Sequence, residues 1–238
     1  MTKDIQQLKQ FVDNAQRIVF FGGAGVSTES GLPDFRSTDG LYHQEWKYPP
    51  EVILSHTFYE SNPEEFFRFY RAKLLAPDAK PNAAHRTLAR WEQEGKLTAI
   101  VTQNIDGLHQ AAGSRNVLEL HGSVHRNYCS RCGKFYDFNF MVHSTGVPRC
   151  DCGGIIKPDV VLYEEPLNEK VLDAAIQYLS EADLLIVGGT SLNVWPAAGL
   201  LRYYRGSDLV LLNKSAVAQD LAASLVIREP IGETLAQV

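Results

Sequence analysis

The chain has 238 residues, enough to bury a sizeable core as one large domain or as one domain with a smaller insertion. Its 28 acidic against 23 basic residues give a net charge of −5, which makes nucleic acid an unlikely partner and leaves only local basic patches. Ile5, Leu8, Val12 and Ala15 recur at helical spacing rather than forming the apolar core of a signal peptide, and no stretch has the length of a membrane span, so a soluble, cytoplasmic protein is expected.

In chain order, apolar spacing predicts a helix over 3–15, a strand over 18–21, helices over 63–75 and 82–94, strands over 98–102 and 117–120, a helix over 168–181, and strands over 184–187, 209–212 and 225–227. Asn82, after Pro81, has the side chain of an N-cap. Short apolar runs interleaved with helices predict an α/β protein with a doubly wound parallel sheet, whose chemistry gathers at the carboxyl ends of its strands. The polar motifs fall there: GGAG after the first strand, TQNIDGLH after the second, His121-Gly122 after the third, GGTSLNV after the fourth and Asn213-Lys214-Ser215 after the fifth. Two segments break the alternation. Residues 37–80 are expected to form a helical module and 124–157 a metal-bearing insertion, together a smaller domain beside a sheet domain of 1–36, 81–123 and 158–238.

The segment RIVFFGGAGVSTESGLPDFR, residues 17–36, runs an apolar strand into a glycine-rich turn and a Pro-Asp-Phe-Arg loop. Gly22, Gly23 and Gly25 remove Cβ atoms where backbone N–H groups could approach a pyrophosphate, although many strand-to-helix turns carry glycine for steric reasons alone. An ordinary dinucleotide unit would continue into a second strand ending in an acidic residue. This chain instead reads LPDFRSTDGLYHQEWKYPP, a polar and aromatic stretch without a strand-length apolar run. A loop there could lie over a bound ligand, Phe35 offering a flat apolar face and Arg36 a fork of donors; the plainer alternative is a surface excursion with one buried aromatic.

All four cysteines fall together, at Cys129, Cys132, Cys150 and Cys152. Two short knuckles with following glycines and room for a hairpin between them suit one tetrahedral zinc ion, with a redox dithiol or reduced structural cysteines as the alternatives. Four thiolates would leave no coordination position for water, so such a zinc is structural.

Together, GAGVSTESGLPDFRS, TQNIDGLH, the His-Gly at 121, the paired knuckles, KPDVVLYEE, GTSLNVWPAA and LLNK resemble the sirtuins, the NAD-dependent protein lysine deacylases, in order and over nearly the whole chain. The resemblance implies a bacterial-type deacetylase with a larger Rossmann-like domain, a smaller domain of zinc ribbon and helical module, and a cleft between them for NAD and an acyl-lysine. It places Ala24, Gly25 and Thr28 against the pyrophosphate and neighbouring sugar, and Phe35 and Arg36 in a loop closing over the nicotinamide ribose. Gln103, Asn104, Ile105 and Asp106 would line the nicotinamide pocket, with Ile105 and Asp106 on the carboxamide and Asn104 on a water or ribose hydroxyl. Gly189, Thr190, Ser191, Asn213, Lys214 and Ile231 would hold the adenosine half. Val160, Val161 and Leu162 would pair as a strand with the substrate peptide, reading backbone rather than side chains.

Attack by an amide oxygen on C1′ of the nicotinamide ribose needs the sugar held in an oxocarbenium-like state with the acyl oxygen beneath it. His121, whose imidazole titrates near neutrality, suits the general base that takes a proton from the ribose hydroxyl. The implied products are free lysine, nicotinamide and 2′-O-acetyl-ADP-ribose. Family members that prefer acidic acyl groups carry a Tyr-x-x-Arg pair in the helical module; Phe67 and Tyr70 stand at those places here, while Arg68 and Arg71 would point elsewhere, which favours acetyl and longer neutral groups.

The other histidines have plainer roles: His85 and His109 as capping or core residues, His125 as a non-ligand beside a complete thiolate set. Asp159 would position the substrate strand, and Trp91 and Trp195 would pack. Mono-ADP-ribosyl transfer from the same pocket is the alternative enzyme activity, and a zinc-ribbon binding module with Arg126, Arg131 and Lys134 as its basic cluster is the alternative outside catalysis.

Overall fold

The computed structural model describes residues 2–34, 40, 46–217, 220 and 222–238. Helix α1 (Lys3–Asn14) buries Ile5, Leu8 and Val12, and the Thr2 side chain caps it by accepting from the Ile5 N–H. Strand β1 (Ile18–Gly22) follows, buried at every position. The chain then makes two short 3-10 turns, Ala24–Val26 and Thr28–Ser30, instead of entering an α-helix. Helices α2 (Pro50–Ile53), α3 (His56–Ser61) and α4 (Pro63–Lys73) come next, then α5 (Ala83–Gln93), β2 (Leu97–Thr102), α6 (Leu108–Ala111) and β3 (Val117–Glu119). Strands β4 (Gly122–Cys129) and β5 (Phe135–Tyr136), helix α7 (Phe138–His143) and strand β6 (Ile156–Val160) lead to α8 (Glu169–Glu181), β7 (Leu184–Gly188), β8 (Asp208–Leu212), β9 (Leu225–Ile227) and α9 (Ile231–Leu235).

Six strands form one parallel sheet in the order β3-β2-β1-β7-β8-β9. Alternate residues of β1 serve opposite faces: Ile18 and Phe20 join the core beneath α1 and α5, Val19 and Phe21 the core beneath α8. Strand β1 has β2 on one side and β7 on the other, so the winding direction reverses there and a crevice opens beyond the strands' carboxyl ends.

The second sheet is antiparallel, in the order β5-β4-β6. Its core joins Val124, Cys129, Cys150, Ile156, Val160 and Leu162 to Phe66, Phe67, Phe69 and Tyr70 of α4. The β4–β6 pairing is irregular between Ser123 and Asn127. The helical segment is stitched to the end of β6, with the His56 N–H donating to Tyr163 O at 3.0 Å and the Tyr163 N–H to Leu54 O at 3.0 Å.

Each helix and strand expected from apolar spacing is present, with ends that differ by one or two residues. Helices α2, α3, α7 and α9 have four to six residues, too few for the spacing to register. Trp91 is a core residue, but Trp195 is 70% exposed, in the irregular turn beyond β7 with its ring beside Gly199. Among the described residues no helix is long and apolar enough to cross a membrane.

Candidate active site

The turn after β1 rests directly on the turn after β7. The Gly25 N–H donates to Gly189 O at 2.8 Å, and the Gly23 N–H to Gly188 O at 3.1 Å. A Cβ at Gly25 would stand 2.7 Å from Gly189 Cα, so only glycine allows this approach. Ala24 and Gly25 lie in the first 3-10 turn, and Thr28 opens the second with its hydroxyl donating to Gly25 O at 3.0 Å. Two distant side chains hold the turn. Asn82 Nδ2 donates to Val26 O at 2.7 Å and Ser30 Oγ at 3.1 Å while its Oδ1 caps α5. Glu29 accepts from the Gly232 N–H at 2.8 Å, one residue beyond Ile231 at the start of α9. Phe35 and Arg36 lie outside the described residues.

Beyond β2, the Gln103 N–H donates to Gly22 O at 3.0 Å, and its side-chain amide donates to Thr190 Oγ1 at 3.0 Å. Asn104, buried, donates through Nδ2 to Ser27 Oγ at 3.1 Å. The Ser27 hydroxyl in turn donates to Asp106 Oδ2 at 2.7 Å, and the Leu108 N–H to Asp106 Oδ1 at 2.9 Å. This chain of bonds fixes the side chains of Ser27, Asn104 and Asp106 relative to one another, and Ser27 was not among the expected site residues. Ser27 sits inside the glycine-rich motif, and its hydroxyl both accepts from the Asn104 amide and donates to the Asp106 carboxylate.

His121 follows β3. A carbonyl oxygen can only accept, so the 3.0 Å contact between His121 Nδ1 and Gln103 O puts the proton on Nδ1 and the lone pair on Nε2. Burial holds the imidazole below its usual pKa, with the bond to Gln103 pulling the other way. The His121 carbonyl accepts from the Val161 N–H at 3.0 Å, tying it to the segment after β6. Gly122, at φ +75°, packs against the Asp159 carbonyl and leaves no room for a side chain. Arg126 joins the end of β3 to β6, with Nη1 donating to Glu119 at 2.6 Å and Nε to Asp159 at 2.8 Å.

Val160 ends β6, and Val161 and Leu162 continue it with their N–H groups engaged by His121 O and by Glu165 Oε2, the latter at 2.9 Å. Gly189, at φ +60°, donates to Leu212 O at 3.0 Å, and Thr190 and Ser191 follow it. After β8, the Asn213 N–H donates to Ile227 O at 3.0 Å and its side chain to Ser215 O at 2.9 Å, while Lys214 is exposed. The residues expected to bind one ligand therefore line the carboxyl ends of β1, β2, β3, β7 and β8, with buried Ile231 at α9.

The four cysteine sulfurs lie within 4.8 Å of one another. Cys129 to Cys152 is 3.4 Å and Cys132 to Cys150 3.6 Å, too long for disulfides and near the roughly 3.8 Å edge of a tetrahedron with zinc–sulfur bonds of about 2.3 Å. The Arg131 and Cys132 N–H groups point at Cys129 Sγ at 3.4 and 3.5 Å, as donors to a thiolate do. The set fits one closed structural ion, and His125 is not part of it. Arg131 donates to Cys152 O and Lys134 pairs with Asp151, so with Arg126 already engaged these cations do not form a free basic patch.

In the helical segment Phe67 and Tyr70 are fully buried. Arg68 pairs with Glu65 at 2.6 Å, and Arg71 donates to Ser144 Oγ and Gly146 O.

Residues 23–196 match the model of the Sir2 family. The chain belongs to the Sir2 family. It is 60% identical over 238 residues to a protein of Clostridium acetobutylicum named NAD-dependent protein deacetylase, covering 98% of this chain and 97% of that one. Among solved Sir2 structures, one described as Sir2 with a p53 peptide and NAD+ superposes with a TM-score of 0.86 at 39% identity, covering 100% of this chain and 97% of that one. A second, Sir2Tm bound to a propionylated peptide, gives 0.87 at 37% identity with the same coverage. Family membership accounts for the parallel sheet and the four-cysteine ribbon occurring in one chain.

Proposed function

We propose that this chain is an NAD-dependent protein lysine deacetylase that converts acetyl-lysine, NAD and one water to lysine, nicotinamide and 2′-O-acetyl-ADP-ribose. The observation that carries the reading is His121: a neutral imidazole with its Nε2 lone pair free of the Gln103 bond, at the joint between the glycine turn's sheet and the segment 160–162. The name of the Clostridium acetobutylicum relative supports the same activity.

NAD, when bound, supplies the electrophilic ribose carbon to which the acyl oxygen is transferred. Every other part of the chemistry is assigned to the chain. Ala24, Gly25 and Thr28 hold the pyrophosphate, in a turn packed so closely on Gly189 that position 25 admits no side chain. Asn104, Ile105 and Asp106, with Gln103, receive the nicotinamide end; Gly189, Thr190, Ser191, Asn213, Lys214 and Ile231 receive the adenosine end. Phe35 and Arg36, which lie outside the described residues, are assigned to the nicotinamide ribose. His121 accepts the ribose hydroxyl proton at Nε2, and its depressed pKa keeps that atom unprotonated at neutral pH. Val160, Val161 and Leu162 align the peptide. Cys129, Cys132, Cys150 and Cys152 hold a structural zinc that organises the β4 side of the cleft.

The small domain of 37–80 and 124–157 and the sheet domain around it are part of this proposal, as is a cytoplasmic location. Longer neutral acyl groups are a second class of substrate, favoured by the propionylated peptide on Sir2Tm. The test is chromatography of nicotinamide released from NAD in the presence and absence of an acetyl-lysine peptide. Release that depends on the acetyl group supports deacetylation. Release without it, with ADP-ribose left on protein, establishes mono-ADP-ribosyl transfer instead.

A further inference from the structure

His125 is exposed, belongs to no metal site, and takes no part in the chemistry above. It nevertheless occupies the place where the metal-bearing sheet meets the loop after β2. The β4–β6 register is broken between Ser123 and Asn127, and such bulges re-aim side chains beside active sites. At this bulge β4 turns toward the loop: the Val124 N–H donates to Ile105 O at 3.0 Å, and His125 Nε2–H donates to Asp106 O at 3.0 Å. The next loop residue, Gly107, stands at φ +72°, and a Cβ there would lie 2.6 Å from His125 Cδ2, so the imidazole packs on bare backbone. The ring also stacks on Phe138 at the start of α7, with centroids 4.8 Å apart and planes 27° apart. Four residues further along the same strand is Cys129.

We propose that His125 is a positioning residue for the nicotinamide end of the site, fixing the backbone of Ile105 and Asp106 from the zinc-bearing sheet. The inference rests on the assignment of Ile105 and Asp106 to the nicotinamide carboxamide. The carboxylate of Asp106 is held from the sheet side by Ser27, and its carbonyl from the ribbon side by His125, so the loop is clamped between the two. The side chain acts through Asp106 and need not touch the ligand. A neutral hydrogen bond of this kind, once lost, lets the loop drift and weakens binding of whatever the loop contacts, while the peptide segment at 160–162 is held separately by His121 and Glu165.

The experiment is steady-state kinetics and nicotinamide inhibition on the zinc-loaded protein and its His125→Ala, His125→Gln and Asp106→Asn variants, with zinc content and melting temperature measured on each. His125→Ala is expected to raise the KM for NAD and the inhibition constant for nicotinamide by about 3- to 10-fold, leaving the acetyl-peptide KM within about 2-fold. His125→Gln, which keeps an N–H donor on a side chain of similar reach, is expected to recover most of the loss at unchanged zinc content. If His125→Ala leaves both constants unchanged, raises both substrates' KM alike, or is not rescued by glutamine, the positioning role is wrong. Asp106→Asn separates the two levels: if it too leaves NAD and nicotinamide constants unchanged, the nicotinamide assignment fails and the inference with it; if it weakens them while His125→Ala does nothing, only the brace fails.

Discussion

The Nδ1–H of His121 donates to the backbone carbonyl of Gln103 across 3.0 Å, joining the residue after β3 to the loop after β2. This bond sets the tautomer that leaves Nε2 as a base, and it does so with a backbone group that cannot titrate. Because burial lowers the His121 pKa, protonation should switch activity off only on the acid side of the ordinary histidine range. The pH profile of kcat/KM is expected to be flat through neutrality and to fall below it, with an apparent pKa under the ordinary histidine value of about 6.5. A midpoint above that value would show that His121 is not held neutral.

Asn82 does two jobs with one amide. Its oxygen caps α5 and its nitrogen holds Val26 O and Ser30 Oγ in the glycine turn. Asn82→Asp keeps the cap but removes both donors and sets a carboxylate beside a buried carbonyl. The variant is expected to lose about 1–3 kcal/mol of stability in urea titration and to raise the KM for NAD more than that for peptide. Equal stability and unchanged KM would show that the turn stands without it.

His85 and His109 pack with ring centroids 4.7 Å apart, both buried. Burial pushes His85 down to about 4, with Asp106 opposing, and His109 to about 3, with His85 adding to the effect. Both pKa values are lower folded than unfolded, so the unfolded chain binds protons that the folded chain refuses. Stability is therefore full above about pH 6.5 and falls as the pH drops, through about pH 4 for His85 and on to about 3 for His109. Denaturation midpoints measured from pH 7 to pH 4.5 should fall steeply, and His109→Gln should flatten the slope relative to its own pH 7 value. An unchanged slope in that variant would exclude His109 as its source.

Phe67 and Tyr70 are sealed inside the small core, and Arg68 and Arg71 are engaged by Glu65 and by Ser144 and Gly146. No free cation is thus offered from these four positions to an acidic acyl chain. On one peptide sequence, kcat/KM for succinyl-lysine is expected to be at least about 10-fold below that for acetyl-lysine. Comparable values for the two would contradict this.

The parallel strands were legible because each is a short, continuous apolar run, and the Asn82 cap because its side chain follows Pro81 before an apolar helix. Cys129, Cys132, Cys150 and Cys152 announced themselves by clustering. What remained hidden depends on pairs that only the topology brings together. Glu29 meets Gly232 across 203 positions, Asn82 reaches back to Val26, and the His125 ring lands on Gly107 because a bulge in β4 turns it there. Ser27 stood inside the motif, but a serine hydroxyl identifies its partners only when Asn104 and Asp106 are placed beside it.

Mass spectrometry of the products formed from an acetyl-lysine peptide and NAD, by the native chain and by His121→Ala, tests the central claim most directly. The native chain is expected to yield deacetylated peptide and O-acetyl-ADP-ribose in equal amounts, and His121→Ala to lower that yield by about 10²- to 10⁴-fold. ADP-ribose attached to the peptide, or undiminished O-acetyl-ADP-ribose from the variant, would contradict the account.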